Sequence, residues 1–146
     1  MKRHEASDEA SIRALLDYLN VCHDGYMRRI SFLKDRKWGD HGGVAYPEVE
    51  KITDLYSIVC DIEVELLLDS YVNALPNQVV ILCYKEARSF RFFQDRTFDY
   101  SEILEVIFHK SGANEFEFVF RTGPELEPID ILCITCPKII CTELDG

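Results

Sequence analysis

Residues 58–68, IVCDIEVELLL, carry the clearest structural signal in this chain of 146 residues. Apolar side chains occupy every second position, and Asp61, Glu63 and Glu65 lie between them. Successive side chains of a β-strand point to opposite faces of its sheet. The alternation therefore predicts a strand with one buried face and one wetted face, and we call these three carboxylates the acidic stripe.

Related patterns on both sides of this segment predict more strands. The predicted strands cover residues 26–33, 58–68, 79–93, 102–109, 115–121 and 129–142. Segment 102–109 also suits a short helix, but the turn residues at 111–114 favour a hairpin into the next strand. The length of 79–93 predicts a bend near residues 87–89. Proline cannot donate a ladder hydrogen bond, so Pro137 predicts a strand end, a bulge or an edge.

One amphipathic helix is predicted near the N-terminus, over residues 8–21, with Ser7 or Asp8 as its N-cap. Four apolar residues share the spacing of one helix face: Ile12, Leu15, Leu16 and Leu19. A polar stretch, residues 35–51, is predicted to be a long loop because it contains the pair Gly42-Gly43 and Pro47. We expect a single domain over 1–146, α+β and mostly β. Its helix packs on an about six-stranded antiparallel sheet that curves into a half-barrel or sandwich.

The chain is acidic, and its charged residues are unevenly distributed along the sequence. The formal net charge is −10, and residues 42–146 hold eight Lys or Arg against nineteen Asp or Glu, a net of −11. Such a chain is a poor ligand for nucleic acid and for anionic membranes, both of which attract cations. It would attract a basic protein partner, although negative charge also serves solubility alone. No apolar run follows the first basic residues, and six cysteines without a signal peptide predict a cytoplasmic protein with free thiols.

The basic residues cluster in one segment, RRISFLKDRKW, at positions 28–38. With Phe32 and Trp38 this segment could bind RNA or phosphate, but the net charge of the chain opposes that interpretation. We expect these cations to pair with the acidic strands of the same molecule.

The cysteine pair Cys133 and Cys136, followed by Cys141, resembles half of a zinc site. In an extended strand, residues three apart point to opposite faces, so chelation would need a sharp turn at Pro137. Free cysteines are also common as small buried hydrophobic residues. We predict no bound metal and no cofactor.

A polar site is predicted from His23, Asp24 and His41, because an imidazole beside a carboxylate can act as a general base. The alternative is a turn that ends the helix, in which Asp24 and Gly25 reverse the chain and His23 caps the last carbonyls of the helix. His41 lies in the predicted long loop near Trp38, and Trp is favoured at binding sites. The alternative for this loop is a surface segment with Trp38 folded onto the core.

The predicted partner-binding residues are the acidic stripe and an exposed aromatic anchor. They are Trp38, Asp61, Glu63, Glu65, Glu115 and Glu117. A solvated sheet face explains the stripe without any function. A face that docks Lys and Arg side chains of a partner is the functional alternative, and Glu115 and Glu117 would extend it if their strand pairs suitably.

Two segments carry a resemblance to a known class of proteins. HDGYMRRISF, residues 23–32, places a His-Asp pair before the first predicted strand, and ILCITCPKIIC, residues 131–141, places Cys133 or Cys136 in the last. This layout resembles small β-rich bacterial families that include immunity proteins of polymorphic toxin systems. The chain departs from their pattern in its preceding helix and its long loop. The resemblance implies a bacterial inhibitor that neutralises a basic toxin enzyme.

The sequence thus favours a non-enzymatic, protein-binding protein with an acidic face. Two alternatives stay open: a small enzyme or ligand-binding β-barrel that uses His23, Asp24 and His41, and a structural homo-oligomer such as a homodimer.

Overall fold

A computed structural model describes residues 2–34, 37–45, 60–68, 78–93 and 102–144. It confirms the predicted fold class, because one α-helix packs against antiparallel sheets and most of the described residues are in strands. The first two residues of the predicted strand 58–68 lie outside the described residues. Within the described part of the chain, no helix is long and apolar enough to cross a membrane.

Eleven strands and one α-helix form the described structure. The helix is α1 (Glu9–Tyr18), and a short 3₁₀ turn follows at Asn20–Cys22. The strands are β1 (Lys2–Ala6), β2 (Tyr26–Leu33), β3 (Lys37–Trp38), β4 (Val44–Ala45), β5 (Cys60–Leu68), β6 (Gln78–Ala87), β7 (Ser89–Phe92), β8 (Glu105–Gly112), β9 (Glu115–Thr122), β10 (Ile129–Cys136) and β11 (Lys138–Leu144). A five-stranded sheet has the order β1-β11-β6-β5-β2, a four-stranded sheet has the order β7-β10-β9-β8, and β3 pairs with β4.

Two long strands pass from one sheet into the other. β6 continues into β7 after a single residue, Arg88, and Glu86 just before it has a left-handed backbone with φ of 55°. β10 continues into β11 across Pro137, which occupies the break. β6 pairs with β11, and β7 pairs with β10, so the pair of long strands bends as one unit. Both predicted interruptions are therefore confirmed, and each marks the change of sheet.

The core lies between the inner faces of the two sheets. Tyr84 of the five-stranded sheet lies with its ring centroid 5.2 Å from that of Phe118 and 6.2 Å from that of Phe120, both in the four-stranded sheet. Between β2 and β7, the rings of Phe32 and Phe90 meet edge to face with their centroids 4.6 Å apart. Aromatic contacts of this kind join the two layers into a sandwich.

Helix α1 covers one side of this sandwich. Asp8 caps it by accepting a hydrogen bond from the Ser11 amide at 2.7 Å, and the predicted apolar face is buried. The Arg13 guanidinium lies over the ring of Phe108 in β8, whereas Tyr18 donates to a carboxylate in β11. The helix therefore bridges an edge of the four-stranded sheet and the inner side of the five-stranded sheet.

The structure departs from the sequence predictions in three respects. The sandwich contains nine strands in two sheets that do not close among the described residues, because segments 79–93 and 129–142 each supply two strands. Strand β1 is missing from the predictions, since Ala6 is its one buried residue and leaves no alternating pattern. The described part of the predicted loop 35–51 contains the β3–β4 ribbon.

Candidate functional site

The residues after helix α1 adopt an unusual backbone. Asn20, Val21 and Cys22 have consecutive φ angles of 51°, 47° and 58°, and Asp24 has a φ of 56°. A left-handed conformation costs an L-residue roughly 1–2 kcal/mol, and a β-branched residue such as Val21 suits it poorly. Such strain persists only where the surrounding structure holds it in place, and it concentrates at functional sites.

Hydrogen bonds to the segment before β8 hold this strained turn. The Asp24 amide donates to the Ile103 carbonyl at 2.9 Å, and the Ile103 amide donates to the Gly25 carbonyl at 2.8 Å. Gly25 fits a close approach of the chain, because a Cβ atom there would lie 3.0 Å from the backbone oxygen of Cys22 and 2.9 Å from Leu68 Cδ2. The turn is thus fixed between β5 and the residues before β8.

An open pocket of about 220 Å³ forms where the two segments meet. Asp24 and Glu102 are the acidic residues of its lining, and the other described lining residues are Ile103, Leu104, Thr122, Gly123 and Pro124. No cationic side chain lines it within the described residues. We call this site the acidic pocket, and two carboxylates without a lining counter-charge make it a site of negative potential.

The β9–β10 loop continues from the pocket wall. It begins at Gly123, whose φ of 89° favours glycine, and then exposes Glu125, Leu126 and Glu127 to solvent. Leu126 is 95% exposed, the highest value among the large hydrophobic side chains that the structure describes as exposed. The pocket is therefore followed by a rim that combines negative charge with one protruding apolar side chain.

The predicted pair His23 and Asp24 lies at this site, but the histidine has a structural contact. His23 Nδ1 lies 2.7 Å from the Leu104 carbonyl oxygen, and since a carbonyl can only accept, Nδ1 carries the proton and donates. Its Nε2 atom is 3.6 Å from the Asp24 carboxylate, too far for a hydrogen bond. The turn alternative is therefore met only in part, because the His23 ring donates to Leu104 instead of capping the last carbonyls of the helix.

The third residue of the predicted polar site, His41, is exposed in the turn of the β3–β4 ribbon. Within the described residues, no hydrogen bond or ion pair joins it to His23 or Asp24, and it does not line the acidic pocket. The structure therefore brings together only two of the three residues. Trp38 on the same ribbon is 78% exposed, so the alternative of a Trp38 folded onto the core does not hold.

The acidic stripe lies on the outer face of β5, as the sequence predicts, but its charges are largely compensated. Asp61 forms an ion pair with Lys85 and accepts a hydrogen bond from the Glu86 amide at 3.0 Å. Glu65 accepts from Arg28 Nε at 2.8 Å, and this hydrogen bond lowers the pKa of the Glu65 carboxyl. The expectation that basic residues pair with acidic strands of the same molecule is met at Arg28.

Glu63, the middle member of the stripe, stands between Ser31 on β2 and Cys83 on β6 in the strand register. Glu115 and Glu117 do not extend the stripe, because β9 pairs with β8 and β10 in the other sheet. Glu117 lies 3.6 Å from His109 Nε2 across the β8–β9 pair. The predicted acidic face is thus divided between two separate sheet surfaces.

The cysteines have the positions predicted for an extended strand. Cys133 is opposite Val119 on the outer side of β10, whereas Cys136 is opposite Phe116 and is fully buried. Burial raises the pKa of the Cys136 and Cys141 thiols to about 12, which keeps both protonated and unreactive. Within the described residues, no group of three His, Cys, Asp or Glu side chains is arranged to hold a metal ion.

A buried polar cluster that the sequence does not predict joins the two ends of the chain. Glu143 on β11 is 7% exposed and accepts hydrogen bonds from His4 Nε2 at 2.8 Å and from the Tyr18 hydroxyl at 2.9 Å. Burial alone would raise the pKa of Glu143, but the hydrogen bonds from His4 and Tyr18 outweigh it and the pKa is lowered. This cluster fixes β1 and α1 to the last strand.

Sequence reasoning also missed the second carboxylate of the acidic pocket. Glu102 lies 78 positions after Asp24, and an isolated bridge between Tyr26 and Glu102 brings the two segments together. One signal was available, since Glu102 is the first residue of the predicted strand 102–109. Comparisons with protein-family models, curated proteins and solved structures gave no match to this chain, so its fold and its site are the observations on which a function rests.

Proposed function

We propose that this chain is a non-enzymatic binding protein whose acidic pocket receives a Lys or Arg side chain from a basic protein partner. The observation that carries the proposal is the pocket itself, where the acidic residues Asp24 and Glu102 meet and none of the described lining residues is cationic. A guanidinium or ammonium group entering it would form charge-assisted hydrogen bonds, which are stronger than neutral ones.

Ion pairs within the chain make the acidic stripe a poorer site for a cation than the acidic pocket. Binding a cation at Asp61 or Glu65 would first require separating these carboxylates from Lys85 and Arg28. That exchange replaces one ion pair by another and leaves a cation of the chain without its partner. Among the described lining residues, Asp24 and Glu102 have no cation from which they would have to be separated.

The rim supports an interaction with a protein rather than with a free cation. Leu126 is almost wholly exposed beside Glu125 and Glu127, and an exposed apolar side chain surrounded by charge is typical of a contact surface. The net charge of −10 would speed the approach of a basic partner. Toxin neutralisation is one form of this function, and the resemblance of residues 23–32 and 131–141 to immunity proteins supports that form.

The test is an NMR titration of the ¹⁵N-labelled chain with a short arginine-rich peptide, with a glutamate-rich peptide of equal length as the control. We expect the arginine peptide alone to shift the amide signals of Ile103, Leu104 and Gly123, which line the pocket. Shifts confined to β5, or no shifts at millimolar peptide, would overturn the proposal.

A further inference from the structure

His23 stands beside the acidic pocket, and its two ring nitrogens have different surroundings. Nδ1 lies 2.7 Å from the carbonyl oxygen of Leu104 and donates its proton to that oxygen. The Leu104 amide donates in turn to the Arg121 carbonyl at 2.7 Å, so the sheet holds the acceptor in place. Nδ1 carries a proton in both the neutral and the charged ring, and this hydrogen bond is therefore kept when the ring changes its charge.

The second ring nitrogen of His23, Nε2, faces the carboxylate of Asp24 at a distance of 3.6 Å. Because the proton of the neutral ring is on Nδ1, Nε2 then carries a lone pair and has no hydrogen to donate. A proton that the ring gains must bind to Nε2. The positive charge therefore arises at the atom next to Asp24.

Water reaches both groups of this pair. The side chain of His23 is 35% exposed, and that of Asp24 is 44% exposed. The ring can thus exchange a proton with solvent without any change in the fold. Histidine is the side chain that ordinarily changes its charge between about pH 5 and pH 8.

The sheet strands around His23 leave Asp24 as its ion-pair partner. Among the described residues, Asp24 is the one carboxylate in ion-pair contact with the ring. The segment before β8 contributes Glu102, the second acidic residue of the pocket. β8 contributes Glu105, which already pairs with Arg121 at 3.4 Å. The end of β5 packs against the turn with leucine residues.

Helix α1 also packs against this turn, and its charged side chains are exposed. Arg13 pairs with Glu9 at 3.8 Å and lies over the ring of Phe108 in β8. Asp17 is exposed in the last turn of the helix. Within the part of the chain that the structure describes, none of these charged groups forms an ion pair with His23.

We propose that His23 makes binding at the acidic pocket sensitive to pH, because its protonated ring competes with the cation of the partner for Asp24. This inference rests on the proposed function, since it concerns the affinity of the same pocket. When the ring is neutral, Asp24 and Glu102 act together on an incoming guanidinium group. When the ring is protonated, its charge offsets that of Asp24 and repels the guanidinium.

The sign of the pH dependence follows from the reciprocity of coupled binding. A cation bound at Asp24 disfavours a second positive charge on Nε2 of His23, so binding of the partner releases protons from the ring. By the same coupling, the affinity for the partner falls as the pH falls through the range in which the ring gains its proton. For unit charges a few Å apart in a solvated site, we expect roughly fivefold weaker binding.

The first test compares the dissociation constant of the arginine-rich peptide at about pH 7.5 and about pH 5.5, where free Asp and Glu side chains are ionised in both cases. We expect the wild type to bind roughly fivefold more weakly at the lower pH, and His23→Asn to change less than about twofold. The Asn side chain can donate to Leu104 as Nδ1 does, but it gains no proton. His41→Asn, on the exposed β3–β4 ribbon, is the matched control and should behave as the wild type does.

The outcomes separate this inference from the proposed function. Equal affinity of the wild type at both pH values would overturn the inference and leave the proposed function standing. An equal loss of affinity in the wild type and in a folded His23→Asn variant would do the same, because the loss would then come from other titrating groups. Absence of binding at either pH would overturn both.

A second measurement on the wild type needs no variant of His23. Isothermal titration calorimetry at about pH 6.5, in two buffers of different ionisation enthalpy, measures the protons released when the peptide binds. We expect each bound peptide to release a fraction of a proton. Binding without net proton release would contradict the inference, whether or not His23→Asn folds.

Discussion

The acidic stripe and the acidic pocket contain the same kind of side chain in different electrostatic environments. On β5 the register places cations beside the carboxylates, so Asp61 pairs with Lys85 and Glu65 pairs with Arg28. In the pocket, a strained turn and a distant segment bring Asp24 and Glu102 together, and no described residue of the lining is a cation. The stripe is the more conspicuous feature of the sequence, yet the pocket is better suited to bind a positive group. What distinguishes them is the position of their counter-charges.

Glu143 is a compensated carboxylate in a nearly buried position. Its removal should change the free energy of unfolding more than any other substitution considered below. Glu143→Ala removes a nearly buried acceptor that two partly exposed side chains, His4 and Tyr18, share as their hydrogen-bond partner. We expect the free energy of unfolding to fall by about 2 kcal/mol, as for other buried charged hydrogen-bond partners. Urea denaturation measures the change, with Glu127→Ala on the exposed β9–β10 loop as the control. A loss equal to that of the control would show that the cluster does not stabilise the fold.

The lowered pKa of Glu143 should make the free energy of unfolding depend on pH in the acidic range. Because its pKa in the folded chain is below the ordinary value of 4.5, the carboxylate stabilises the fold above that pH. This stabilisation is lost as the pH falls through the folded pKa. We expect the free energy of unfolding of the wild type to fall more steeply below pH 4.5 than that of Glu143→Gln. Parallel curves for the two proteins would contradict this assignment.

The stripe should behave as a structural feature of the fold. Asp61→Asn removes the charge that pairs with Lys85 and weakens the bond to the Glu86 amide, which holds a left-handed residue. We expect a loss of about 1 kcal/mol in the free energy of unfolding. Glu63→Gln, at the next outward position of β5, is the matched control and should change it by less than about 0.5 kcal/mol. Equal effects would mean that the ion pair contributes nothing measurable.

In the acidic pocket, loss of a carboxylate should stabilise the fold and weaken binding. Asp24 has a φ of 56°, so Asp24→Gly relieves backbone strain and should raise the free energy of unfolding by about 0.5 kcal/mol. The same change removes an acidic side chain from the pocket and should weaken binding of the arginine-rich peptide. Thermal unfolding and the peptide titration together check both effects. A destabilised Asp24→Gly variant would show that the turn is not strained in this way.

Much of the fold follows from local sequence patterns. Alternation identifies β5, the turn at 111–114 identifies the β8–β9 hairpin, and Pro137 marks the boundary between β10 and β11. Such patterns do not reveal that an interrupted strand changes sheets, since that depends on packing of the whole layer. Strand β1 gives no signal at all, because it pairs at an edge and buries only Ala6.

The site was less predictable than the fold, for a physical reason. Asp24 is recognisable as part of a turn, but Glu102 joins it only through long-range backbone pairing. Compensation of the stripe likewise depends on which residues the register places opposite Asp61 and Glu65. Charge counts are a property of the sequence, whereas local potential is a property of the assembled sheet.

The most direct test compares two variants that lose the same charge at different places. Asp24→Asn with Glu102→Gln removes two negative charges from the acidic pocket, and Glu63→Gln with Glu65→Gln removes two from the stripe. We expect the first variant to bind the arginine-rich peptide roughly tenfold more weakly, a loss of about 1.4 kcal/mol, and the second to bind almost as the wild type does. Equal weakening by both variants would mean that net charge alone governs binding, and it would contradict the acidic pocket as the binding site.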